Sequence, residues 1–404
     1  MKSILYVETG SGYGGSVQSL VELLSELDRS RYRAVVAAYG EGSGLDKIRE
    51  LDVPIHLFPA PRVRRFLGVG HLLLHWIAYE IPRTARLAVL IHRERIDLVH
   101  VNSGLYGAVA AIWAGQLTGR PVVCHLRSIR TPTMLERIFG RMTDRFVALT
   151  EYARGFYQGH WPDKRISVIY DAVQLSFPRK GESDPRFRGD DASVRGDDAG
   201  VRGDDTSFRG SGYSPQVGLV ARCVAGKGYE EFIRAIPIVR RTHPQVRFVI
   251  VGNGPGGDPD YEARMRELAG AMNLNGALLW QGWREDVSEA MGDLDIVAQI
   301  STSLEGFGRV ALEALGCGTP VIATELPAFA EILGNGEAAV MVPPGDVEAL
   351  ARGIVTLMED RALAERLVQK GQERLRRLFT RQRHAEKVER VYEETLSFSR
   401  KRGS

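Results

Sequence analysis

Ser301-Thr302-Ser303-Leu304-Glu305-Gly306-Phe307-Gly308-Arg309-Val310-Ala311-Leu312-Glu313-Ala314-Leu315-Gly316-Cys317-Gly318-Thr319-Pro320-Val321-Ile322-Ala323 is the stretch on which the fold turns. Before it, Asp295-Ile296-Val297-Ala298-Gln299-Ile300 is an apolar run of the length of one buried parallel strand, and Pro320 to Ala323 reads as the next strand. Between them lie a small-residue turn and good helix formers from Val310 to Leu315, ending at glycine. A strand–turn–helix of this kind aims the free N–H groups of the helix start into the turn, which makes it an anion site. Glu305 and Glu313 bracket that turn. Eight residues of helix rise about 12 Å, whereas hydrolytic carboxyl pairs stand roughly 5 to 9.5 Å apart. If both are helical, the two acids cannot flank one glycosidic bond; they can grip opposite ends of an extended phosphorylated ligand. Spacing alone leaves a plainer alternative open: an acid favoured by the helix dipole and a solvated glutamate on the outer face.

Working outward, 404 residues are too many for one ordinary core, so two domains are expected. The net charge of +3 makes no general case for nucleic acid as a partner. Cys124, Cys223 and Cys317 are scattered, without metal-ligand spacing, and read as reduced. Met1-Lys2 leads straight into a strand without a signal-peptide layout, and no apolar segment reaches the roughly 18 residues of a spanning helix. The expectation is a cytoplasmic chain, or one lying on a membrane surface.

Near the start, Ser3 to Val7 reads as a buried strand, followed by the glycine-rich Gly10 to Gly15 and an amphipathic helix from Val17 to Leu27. The match to G-x-G-x-x-G keeps a nicotinamide-dependent oxidoreductase open, but the acid such an enzyme wants after its second strand comes late, at Glu41. From Arg62 to Arg95, seven arginines accompany Phe66, Leu72, Trp76 and Tyr79 against two acids. That composition fits either an amphipathic element on an anionic membrane surface or helices covering a sheet. Further on, Arg188-Gly189-Asp190-Asp191 recurs every seven residues, at Arg195 and Arg202. So polar a repeat supplies no coiled-coil seam and is expected to be a disordered expansion of the interdomain linker.

The run Glu305-Gly306-Phe307-Gly308, then Glu313-Ala314, Gly318 and Pro320-Val321-Ile322-Ala323, closely resembles the signature of retaining nucleotide-sugar glycosyltransferases of family 4. That resemblance implies an α/β fold of the GT-B type, two Rossmann-like domains facing each other across a cleft. The boundaries it suggests are an acceptor-side domain over 1–178, the repetitive insert over 179–214, a donor domain over 215–380 and a helix over 381–404 crossing back to the first domain. It implies that Gly14 and Gly15 approach the donor diphosphate, and that His125 approaches the transferred sugar. Relatives follow that histidine with an acid where this chain has Leu126 and Arg127, and carry Asn-Gly-x-Asp where it has Tyr170-Asp171-Ala172-Val173. Arg222 and Lys227 resemble the family's cation pair, suited to a diphosphate leaving group. Backbone from Gly282 to Arg284 would meet the nucleobase, with Trp280 and Trp283 as packing residues. Glu313 would hold the ribose, and Glu305 with the amides of Gly306, Phe307 and Gly308 would position the sugar.

No Asp-x-Asp pair stands where a donor-bound metal would need it, so neither metal nor cofactor is expected. The expected partners are a nucleoside diphosphate sugar and a glycan or lipid-linked acceptor, in cell-envelope polysaccharide or glycolipid synthesis. An epimerase of the same architecture and a non-catalytic sugar-binding relative are the alternatives.

Overall fold

A computed structural model describes residues 1–9, 14–59, 76–105, 107–173, 214–252, 257–284 and 286–402. The repeats, and the part of the basic stretch over 62–75, lie outside the described residues.

Among the described residues, thirteen strands form two sheets in which every pairing is parallel. The first holds β1 (Lys2–Glu8), β2 (Tyr32–Tyr39), β3 (Ile55–Phe58), β4 (Leu98–Val101), β5 (Val122–Leu126), β6 (Arg145–Ala148) and β7 (Arg165–Val168), in the order β3-β2-β1-β4-β5-β6-β7. The second holds β8 (Gln216–Val220), β9 (Arg247–Val251), β10 (Leu278–Gly282), β11 (Ile296–Gln299), β12 (Val321–Thr324) and β13 (Val340–Val342), in the order β10-β9-β8-β11-β12-β13. Runs such as Ile4 to Val7 and Val35 to Ala38 are fully buried because helices cover both faces. Each sheet has apolar clusters on its two sides.

The order reverses beside β1 in one sheet and beside β8 in the other. In open α/β sheets that reversal leaves a crevice beyond the carboxyl ends of the strands, where ligands sit. These are the two doubly wound units of a GT-B architecture, and both crevices open between the domains.

The described end of the basic stretch is the helix Ile81–Arg93, which lays Leu87, Leu90 and Ile91 on the first sheet. Arg83 within it is buried, paired with Glu80 at 2.8 Å and set over the Tyr39 ring at 4.2 Å. This helix is a sheet cover, and Arg83 is withdrawn from any lipid-facing role. The last helix, Arg381–Arg402, returns to the first domain and buries Ala385, Val388, Val391 and Tyr392 against Ile4, Tyr6 and Val17. Among the described residues no helix is long and apolar enough to cross a membrane.

Candidate functional site

The loops after β8 and β11 are neighbours because the sheet reverses there, and they are laced together. Gly226 carbonyl accepts from Thr302 N at 2.9 Å and from Ser303 Oγ at 3.3 Å. Gly228 sits at φ +80°, and a β-carbon on it would stand 2.2 Å from the Ile300 carbonyl, so only glycine lets the loops meet this closely. Across the join Lys227 forms an ion pair with Glu305, whose Oε1 also accepts from Ser301 Oγ at 2.7 Å. Arg222 lies exposed on the first loop, with no side-chain partner among the described residues. The helix Arg309–Gly316 then starts behind Gly308, which takes φ +108°. A cation, an acid and a helix start converge here from two loops.

The other wall belongs to the first domain. A β-carbon on Gly306 would stand 2.5 Å from the Arg127 carbonyl, so the donor-side loop lies directly on the segment that follows β5. Phe307 turns away from this contact into a buried aromatic group with Tyr170 and Phe379. Glu331 spans the same boundary, accepting from the N–H groups of Glu151 and Tyr152 at 2.7 and 3.1 Å and from the Tyr170 hydroxyl at 3.0 Å. There it caps the start of the helix Glu151–Gln158 in the first domain.

Sequence reasoning passed over Arg309, which the family signature leaves unspecified. Its guanidinium grips Glu22 of the first domain through two bonds of 3.0 and 3.1 Å and donates to the Ala172 carbonyl at 2.8 Å. Its Nε donates to Glu313 Oε1 at 3.2 Å, and Gln18 Nε2 reaches the same oxygen at 3.4 Å. Gly15 packs at the stem of this arginine, where a β-carbon would meet Cδ at 3.4 Å, while Gly14 precedes the helix Gly15–Glu26. Burial lifts the Glu22 carboxyl above its usual range, against the pull of Arg309. Burial also works against the Arg309 cation, but Glu22 and Glu313 outweigh it and hold the charge. An arginine four residues after Glu305 and four before Glu313 is visible in sequence; its partner, in another domain, is not.

The two departures after His125 and Ile169 turn out to face each other. Arg127 Nη1 donates to both oxygens of Asp171 at 3.0 Å, in a nearly buried pair. Its remaining N–H groups reach the Asn102 carbonyl at 2.6 Å, Asn102 Oδ1 at 2.7 Å and Ser19 Oγ at 3.0 Å. Burial opposes the Asp171 charge, but Arg127 and Arg309 outweigh it and hold the carboxyl below its ordinary range.

His125 itself is wholly buried in β5 and lines no open surface. Its Nδ1 lies 3.0 Å from His100 Nε2, and His100 Nδ1 bonds the Tyr392 hydroxyl of the last helix. Its Nε2 has no partner among the described residues. Burial, followed by the nearby Arg127 cation, pushes the His125 pKa well down, so the ring is neutral.

Gly282 closes β10, its carbonyl accepting from Gly252 N at 2.8 Å. The Arg284 side chain is engaged by Asp286 at 2.8 Å and Glu289 at 3.5 Å. Trp280 packs against Tyr229 and under Arg266, as its reading as a packing residue requires. Trp283 does not: it leaves 44% of its surface exposed, because the chain has by then run past the sheet edge.

Comparison with known proteins agrees with this architecture. The model of Glycosyltransferase Family 4 matches residues 13–177, and that of Glycosyl transferases group 1 matches residues 210–374. A phosphatidyl-myo-inositol mannosyltransferase of Mycobacterium leprae is 35% identical over 41% of the chain, and a lipopolysaccharide core biosynthesis glycosyltransferase, LpsE, of Rhizobium meliloti is 30% identical over 42%. The match spans 43% and 47% of the lengths of these two curated relatives. Among solved structures, Anabaena HepE in complex with UDP and glucose shares the fold with a TM-score of 0.76 at 21% identity, covering 97% of this chain and all of that one. The signature read at Glu305 to Ala323, the paired crevices and the two matched halves lead to one assignment: the chain belongs to the family 4, group 1 glycosyltransferases, with the GT-B fold.

Proposed function

We propose that this chain transfers a sugar from a nucleoside diphosphate sugar to a glycan or lipid-linked acceptor, with retention of anomeric configuration, in the synthesis of a cell-envelope polysaccharide or glycolipid. The observation that carries the reading is the meeting of Lys227, Glu305 and the start of the helix Arg309–Gly316 at the β8/β11 crevice, opposite the first domain.

In this reading the donor diphosphate draws Lys227 from Glu305, and Arg222 and the helix-start amides share its charge. Those groups stand in for a metal ion. Glu305 is thereby freed to accept a hydroxyl of the sugar, and Glu313 holds the ribose. As the resemblance to retaining family 4 enzymes implies, the acceptor oxygen attacks the anomeric carbon from the face the diphosphate leaves. The new carbon–oxygen bond forms as the bond to phosphate breaks, and the departing phosphate oxygen takes the acceptor proton. His125, buried and neutral, is assigned a supporting place beneath the sugar, short of a proton carrier. The phosphatidyl-myo-inositol and lipopolysaccharide activities named for the relatives support an acceptor of lipid-linked type.

The test is incubation with a panel of nucleotide sugars, with and without lipid-linked and glycan acceptors. Release of nucleoside diphosphate that depends on acceptor, with an α-linked product from an α-linked donor, is the expected outcome. Conversion of a nucleotide sugar without acceptor would instead mark an epimerase, and binding without turnover a sugar-binding protein.

A further inference from the structure

We propose that Arg309 is a positioning residue that couples the donor site to closure of the first domain, and that Glu22 acts on donor binding through it. The coupling rests on the donor-site reading for Glu313.

Arg309 sits on the first turn of its helix, one turn before Glu313, so the two side chains share a face. The planar guanidinium is used on each of its edges. Nε holds one oxygen of Glu313 at 3.2 Å, leaving the other oxygen for a ligand hydroxyl. Nη1 and Nη2 hold both oxygens of Glu22, on the helix Gly15–Glu26 of the opposite domain. Nη1 also holds the Ala172 carbonyl, in the segment by which the chain leaves the first domain. A lysine supplies one compact charge and cannot bridge three acceptors in fixed directions.

The same helix, Gly15–Glu26, carries Gln18 to Glu313 and Ser19 to Asp171, the latter at 2.6 Å. One helix face thus reads the hinge, the ion pair and the donor-side acid together. When the domains part, Glu22 and Arg309 separate, Glu313 loses Gln18, and Arg309 is no longer held at its far end in the pose that orients Glu313. When a donor orders Glu313, the closed arrangement gains. By linkage, each event favours the other to the same extent.

The experiment compares wild type, Glu22→Gln, Arg309→Lys and the double variant. UDP, GDP and ADP serve as probes in calorimetric titrations, and solution scattering of the free proteins reports domain opening. Glu22 is expected to contact no part of the nucleotide, yet Glu22→Gln should weaken the best-bound diphosphate on the order of tenfold. The double variant should bind no more weakly than Arg309→Lys alone, because both substitutions cut one connection. Wild-type affinity in Glu22→Gln, or additive losses in the double variant, overturns the proposal. If wild type binds none of the three nucleotides, the donor-site reading fails instead. The scattering arm then decides the coupling: a wider free Glu22→Gln supports it, and an unchanged one overturns it. Should Arg309→Lys not fold, Glu22→Gln and Glu22→Asp carry the same comparison.

Discussion

Glu313 enters the site with one carboxylate oxygen already held by Arg309 and Gln18, which leaves it the other for a ligand. A carboxylate accepts hydrogen bonds only, and a ribose offers two adjacent hydroxyl donors, so Glu313→Gln would turn one acceptor into a competing donor. Its expected effect is a strong rise in donor KM. Lys227 and Arg222 differ in kind, because a diphosphate gains charge as it leaves and cations aimed there act most in the transition state. Lys227→Ala or Arg222→Ala should therefore lower mainly kcat, by about 10²-fold, as for the loss of one preorganised donor to developing charge. Steady-state kinetics separates these outcomes, and full wild-type kinetics in all three variants would sink the donor-site assignment. Glu313 was singled out by the family signature, since its spacing to the turn alone also allowed a solvated glutamate. Arg309 was equally present in the sequence, but its importance comes from Glu22, 287 residues away along the chain.

At the scale of elements, the last helix is fastened to the first sheet by a buried polar line. It runs from the Tyr6 hydroxyl to that of Tyr392 at 3.2 Å, then to His100 and to His125. His384, on the same helix, donates from Nδ1 to the Tyr170 carbonyl at 2.8 Å. Burial is the largest cause of lowered pKa in all three histidines, taking His100 down to about 3. An unfolded histidine takes up its proton near pH 6.5, while in the folded chain all three take theirs up only at lower pH. Below that pH the unfolded state binds more protons, so stability falls with acidification from about pH 6.5 towards the folded pKa values, by at most about 1.4 kcal/mol per pH unit for each histidine. Denaturant midpoints should therefore drop between pH 7 and 5, before most carboxylates titrate. Midpoints flat across that range would refute this account. That a helix closes the chain was legible from its composition; the three buried histidines beneath it were not, since burial belongs to the packed structure.

For the molecule as a whole, the proposed lipid-linked acceptor would need a surface by which to approach the first domain. The segment that Gly306 touches, beginning at Arg127, leads within a few residues to the helix Met134–Met142. That helix exposes Met134, Leu135 and Ile138 beside Arg137 and Arg141. Leu117 is exposed on the neighbouring helix Val109–Leu117, which is joined to this one by the bond from Gln116 Nε2 to the Met142 carbonyl at 2.6 Å. The helix carries one acid, Glu136, buried in a capping box with Thr133 and paired with Arg130. An apolar face rimmed by arginines has the composition that an anionic membrane surface attracts. Sedimentation with anionic vesicles should be reduced by the joint substitution of Arg137 and Arg141 by glutamate. Equal sedimentation of the variant, or equal binding to zwitterionic vesicles, would remove the face from consideration. For Arg62–Arg95 the sequence left lipid and sheet both open, because a run of arginines and aromatics looks the same whether its apolar face meets one or the other. Along Ile81–Arg93 it meets the sheet.

What the sequence determined by itself is local and periodic. Buried parallel strands, glycine turns, the helix after Gly308 and the acid spacing of Glu305 and Glu313 depend on residues near one another in the chain, and the family signature rests on these alone. The tertiary structure decided the rest: that Lys227 pairs with Glu305, that Arg127 answers Asp171, that His125 lies under the last helix, and that Arg309 ties two domains. Each of these joins residues separated by tens to hundreds of positions. Withdrawing such groups from water is a cost, offset only where packing brings an opposite charge and further hydrogen bonds to each partner, and no pattern along the chain encodes that arrangement.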